Sequence, residues 1–264
     1  MTNSTASVPA LTIPHIDEET IIPRLAQLVV DFGANVQEGQ IVTVGAELGK
    51  EALAREVAGA AYRRGASFVD VSYLDPHIKR QRVLHANPDM LTTFPSWYGH
   101  KVLQTGEQKC ARISLAGATE PHLLDDLDPD LVGREQSAPR AEGMKVVNDR
   151  STNWSMVPCA TPDWAQVVFP DLSREEATAR LWQQLAWICR LDADDPVTLW
   201  QQRIDLLLEK SAALTTRRFD AIRFDGPGTD LTVGLLPTSK FICAAFETAD
   251  GIKPGFDFDC GSLL

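Results

Sequence analysis

The sequence predicts an α/β protein: a mostly parallel sheet flanked by helices, followed by the start of an antiparallel second domain. Two observations carry this. From about residue 20 to residue 212, segments with helical spacing alternate with short apolar runs, the signature of βαβ units and a parallel sheet. Beyond residue 213 the pattern changes to period-2 alternation around a Gly/Pro turn, which reads as an antiparallel hairpin. The expected division is an N-terminal arm over 1–18, an α/β domain over 19–212, and the beginning of a second domain over 213–264.

The elements follow in order. Residues before about 15 are small, polar and punctuated by proline, as in a loose arm. Ile21, Leu25, Leu28, Val29 and Phe32 fall on one helical face, with Gly33 as the expected stop. Gln40 to Gly45 reads as a strand, Gly49 to Arg64 as an Ala-rich helix ended by Gly65, and Ser67 to Tyr73 as a second strand. A helix is expected from about Pro95 to Gln108, a strand over Ala111 to Ala116, a helix over Pro129 to Asn148 and a strand over Trp154 to Pro158. Ser173 with Glu176 makes a capping box ahead of the stripe Ala177, Leu181, Leu185, Ile188. Asp195-Pro196 opens the next helix, with Trp200, Ile204, Leu207 and Leu208 facing inward. Phe219 to Phe224 and Asp230 to Leu235 flank the turn Asp225-Gly-Pro-Gly228. The tail from Pro254 shows no periodicity.

Composition narrows the function. The chain has 264 residues, 44% hydrophobic and 23% charged, which suits a folded domain rather than a disordered one. Its 25 Lys and Arg against 36 Asp and Glu leave a net charge of −11, which argues against nucleic-acid binding. No run approaches the length of a membrane span, and the first residues lack the basic and apolar regions of a signal peptide. The five cysteines, Cys110, Cys159, Cys189, Cys243 and Cys260, are odd in number and scattered. Reduced thiols in a cytoplasmic protein are the expectation.

Candidate sites are weak. Gly45-Ala-Glu-Leu-Gly-Lys50-Glu51 follows a strand and opens a helix. Its spacing is one residue short of a phosphate loop, and Glu51 stands where a hydroxyl is needed. His15, His77, His85, His100 and His122 form neither H-x-H nor H-E-x-x-H. The acidic run Asp125 to Asp130 lacks the glycine and closing glutamate of a Ca²⁺ loop and reads as a turn before a helix. Cys159 has no histidine after it in the chain to act as base. Glu247 and Asp250 are a possible acidic pair, yet two carboxylates do not make a metal site.

Asp225-Gly-Pro-Gly-Thr-Asp-Leu-Thr-Val-Gly-Leu235, followed by Phe246-Glu-Thr-Ala-Asp-Gly251, resembles the thermophilic-metalloprotease group of aminopeptidases. Leu25 to Gln40, Arg63 to Ser67 and Ala160 to Ala165 add to the likeness, which covers roughly residues 20 to 251. The resemblance implies a cytoplasmic, homodimeric exopeptidase that removes N-terminal residues from peptides with two divalent ions, Zn²⁺ or Co²⁺. It also implies that glutamates, histidines, an aspartate and a tyrosine in the C-terminal half hold those ions. The first such glutamate lies beyond the segment matching Phe246 to Gly251. Here the pattern breaks after Lys253, the last histidine is His122 and the last tyrosine Tyr98. No catalytic, cofactor or metal residue is therefore assigned, no metal is expected on this chain, and the chain alone is expected to be inactive. Two further readings stay open. One is a non-catalytic dimerisation or binding module. The other is a small-molecule domain using the crevice at the strand ends, for which no glycine fingerprint speaks.

Overall fold

The computed structural model describes residues 14–136, 140–243 and 245–255. Four strands, β1 (Ile41–Glu47), β2 (Phe68–Leu74), β3 (Ala111–Ala116) and β4 (Trp154–Pro158), form one sheet in the order β2-β1-β3-β4. Every pairing in it is parallel. A separate antiparallel hairpin joins β5 (Ala221–Gly226) to β6 (Thr229–Gly234). The expected architecture is the one found.

Helix α1 (Glu18–Leu28) is capped by Asp17, whose carboxylate accepts from the Glu19 amide, and its first turn is acidic. The helical stretch stops at Gly33 as expected, though not by a left-handed glycine. It widens into a π turn over Val29–Gly33, and the left-handed residue is Asn35, with φ +47°. Asparagine tolerates that region, so a glycine was not required there. Helix α2 (Glu51–Arg63) does end at its glycine, since Gly65 takes φ +97°. Ile21, Leu25 and Val29 meet Leu53, Val57, Val42 and Val44 in one buried cluster. That cluster covers one face of the sheet.

Five helical segments begin at an Asx- or Thr-Pro pair, with proline at the first turn where its missing N–H costs nothing. They are α3 (Pro76–His85), the 3₁₀ turn Pro88–Met90, α5 (Pro129–Glu135), α7 (Pro162–Val168) and α9 (Pro196–Arg217). α3, the 3₁₀ turn and α7 add to the elements expected. Helix α4 (Ser96–Glu107) matches its expectation. The single helix expected over 129–148 is two, α5 and α6 (Arg140–Asn148). Residues 137–139 lie outside the described residues. Helix α8 (Arg174–Ile188) carries the full capping box of Ser173 and Glu176.

Within the stretch read as an arm, Ile16 exchanges two hydrogen bonds with the Gln183 amide, at 2.9 and 2.7 Å. Residues 1–13 of that arm, Cys260 and the tail from 256 lie outside the described residues. Helix α9 buries Trp200 and Ile204 in its first turns and then leaves the core behind. The chain returns afterwards: Phe246 stacks on Trp154 at 5.7 Å, the Ala249 amide reaches the Arg150 carbonyl, and the Gly255 amide reaches that of Phe32.

Candidate functional site

In open parallel sheets the natural site is the crevice at the carboxyl ends of the strands. Here that crevice is largely stitched shut. Lys50 turns inward from the β1–α2 turn until only 3% of it is exposed. Its Nζ donates to the Leu115 carbonyl at 2.8 Å and lies 3.7 Å from Glu47. Burial pulls its pKa down, partly offset by Glu47. Thr119 Oγ1 donates to Glu47 at 2.7 Å, and Thr161 donates to the Ala118 carbonyl. Glu51 accepts from the Gly49 amide at 3.0 Å, filling the place a phosphate oxygen would take. That amide also holds the Glu51 carboxyl below its ordinary value. The glycine-containing turn is a structural βα turn.

The histidines do not converge on a metal. His77 Nε2 contacts Glu120 at 2.6 Å and His122 Nδ1 contacts Asp125 at 2.8 Å, both in exposed positions. Glu120, His122 and Asp163 line an open depression of about 660 Å³. Asp163 is already clasped by both Arg174 nitrogens, at 2.5 and 3.0 Å. Among the described residues, no three of His, Cys, Asp or Glu stand close enough to hold an ion. Among the described residues the donor set does not fit the two-ion centre that the resemblance implies.

The remaining candidates have structural roles. Asp126 pairs with Arg80 through both oxygens, at 2.5 and 2.7 Å, and Asp128 caps α5. The run Asp125 to Asp130 is thus a turn before a helix. Cys159 is buried behind β4, and desolvation pushes its thiol up to about 11 despite the nearby Lys50. A thiol in that state is a poor nucleophile at neutral pH. Asp250 pairs with Lys109 at 3.1 Å and Glu247 faces Lys253 at 3.8 Å, so each carboxylate has its own lysine partner.

The hairpin is the most distinctive exposed element. Register places Phe224 opposite Leu231 and Ile222 opposite Val233, so these four share one face. Arg223, Thr232, Asp225 and Asp230 share the other, where Arg223 meets Asp230 at 3.0 Å. Pro227 and Gly228, the latter at φ +78°, form the two-residue turn. Phe224 and Leu231 are about half exposed, at 51% and 52%, so much of this apolar face meets solvent, with Ile222 the more covered of the four. No helix among the described residues is long and apolar enough to cross a membrane.

Residues 18–255 match the family model described as thermophilic metalloprotease (M29). The chain is similar to aminopeptidase T of Thermus thermophilus, 38% identical over 217 residues that make up 81% of this chain and 53% of that protein. It is 30% identical to aminopeptidase 2 of Geobacillus stearothermophilus over 89% of this chain and 57% of the relative. It is 31% identical to aminopeptidase PepS of Streptococcus thermophilus over 91% and 59%. The solved structure of wild-type AmpT from Thermus thermophilus superposes with a TM-score of 0.79 at 32% identity, covering 92% of this chain and 60% of that one. The chain thus spans a little over half the length of the curated relatives it matches. A family model matched across nearly the whole described chain, together with a shared fold, places this chain in the thermophilic metalloprotease (M29) family.

Proposed function

We propose that this chain is the amino-terminal scaffold of a cytoplasmic metallo-aminopeptidase acting on peptides, and that by itself it hydrolyses none. The carrying observation is the family match over residues 18–255, set beside relatives of nearly twice the matched length. The scattered donors support the second half of the reading, because metal-assisted hydrolysis needs ligands that meet at one point. In this reading residues 19–212 are the α/β domain and the segment from 213 begins the domain that completes the enzyme. The test is hydrolysis of leucyl-p-nitroanilide by the purified chain with Zn²⁺ or Co²⁺ supplied. No turnover above buffer is expected; sustained turnover would refute the inactivity.

A second reading rests on the hairpin. An isolated two-stranded hairpin is marginal in water, and an exposed apolar face beside an unpaired edge invites another chain. The chain is then a dimerisation module, pairing with a second copy through Ile222, Phe224, Leu231 and Val233. Sizing chromatography at several concentrations tests it: a dimer lost in Leu231→Asp is expected, and a monomer throughout counts against it.

A further inference from the structure

The face of the sheet opposite the core cluster carries two polar rows, which give way to Trp154 and Met156 on β4. Across β2, β1 and β3, Asp70, Thr43 and Arg112 stand side by side in one row, with Ser72, Gly45 and Ser114 in the next. A parallel sheet covered by apolar helices on both faces has no use for such rows. Helix α4 crosses above them without sealing the space, leaving a cavity of about 340 Å³. A Cβ on Gly45 would meet nothing within 4 Å, so the floor is open at its centre.

The charges in this cavity do not cancel. Lys101 meets Asp70 at 3.0 Å and reaches Ser72 at 3.4 Å. The Arg112 side chain is half-buried, and its guanidinium makes no hydrogen bond or ion pair among the described residues. The Thr43 and Ser114 hydroxyls beside it make none either. Burial draws the Arg112 guanidinium below its ordinary value, with the neighbouring Cys110 offsetting part of the shift. A half-desolvated cation without a partner is costly unless something else pairs with it. Lys101 and Arg112 against Asp70 leave one positive charge, which balances a monoanion and would be overbalanced by a dianionic phosphate. Leu74, Tyr98 and Val102 give the rest of the lining an apolar character.

We propose that this cavity is a binding site for a small monocarboxylate, its carboxylate held by Arg112 with Thr43 and Ser114, and its apolar body lying over Gly45 against Leu74 and Val102. The site is separate from the peptidase reading and does not depend on it. Calorimetric titration of the intact chain with 4-methylpentanoate tests it. Saturable binding is expected, with 4-methylpentanamide and inorganic phosphate binding at least about tenfold more weakly. Arg112→Met should weaken the carboxylate by roughly tenfold to a hundredfold, since a charge-assisted contact is lost. The same variant should leave the melting temperature of the ligand-free protein unchanged or raise it, because an unpaired half-buried charge is gone. Gly45→Val keeps Arg112 in place, fills the open floor with a residue suited to a strand, and should also abolish binding. The proposal is overturned by no binding to the native chain, by full binding in either variant, by equal binding of amide or phosphate, or by a lowered melting temperature of Arg112→Met, which would make that arginine structural.

Discussion

At the scale of single residues, burial decides chemistry. Cys189 is fully buried and its thiol is pushed up to about 12, as Cys159 is to about 11. Both stay protonated at neutral pH, and alkylation by iodoacetamide at pH 8 should be negligible in the native chain and rapid after unfolding. The sign of the pH effect follows from linkage. A thiol raised above its ordinary 9 keeps its proton longer when folded than when unfolded. Its contribution is full below about pH 9 and is lost as pH rises toward the folded value. Lys50, lowered by burial, acts in the opposite sense, so variants must separate the two. Urea titrations should show the stability difference between the native chain and Cys189→Ala shrinking from pH 8 to pH 10. A backbone position is equally exacting. Gly117 takes φ +102°, and a Cβ there would lie 2.5 Å from the Cys159 carbonyl oxygen. Gly117→Ala should cost about 2 kcal/mol or more, read as a lower urea midpoint.

At the scale of elements, capping chemistry is legible in the sequence. Ser173 and Glu176 announce α8, and both hydrogen bonds of that box are formed. Ser173→Ala should cost about 1 kcal/mol in thermal unfolding. The same logic at Asp75-Pro76 and Thr161-Pro162 marks α3 and α7, which apolar periodicity misses. α3 buries a single residue, Val83, so it has no apolar stripe to read. Gly33 marks the end of the first helical stretch, but a π turn places the left-handed residue two positions later, at Asn35. The strands show why a polar cavity was invisible: Arg112 and Ser114 alternate with Ile113 and Leu115 as in any half-buried strand. Only the register sets Arg112 beside Thr43 and Asp70. The hairpin carries its amphipathic pattern plainly, yet its isolation is tertiary. Hydrogen exchange should protect the amides of Val44 and Ile113 far longer than those of β6, all of whose residues are exposed.

At the scale of the whole molecule, one face of a four-stranded sheet is packed by α1 and α2 into a single core, and the strand ends are sealed by Lys50, Thr119 and Thr161. Fold class and family were both readable from the chain, the first from alternating periodicities and the second from the hairpin string at Gly226 to Leu235. Candidate sites were not, because what makes a site is convergence, and residues such as His77 and Glu120 lie 43 positions apart in the chain. In the proposed reading these residues scaffold a metalloenzyme without themselves gripping its ions. Equilibrium dialysis of the purified chain against Zn²⁺ and Co²⁺, followed by elemental analysis, tests it most directly. Less than a tenth of an equivalent of tightly held metal is the rough expectation; two equivalents retained through dialysis would contradict it.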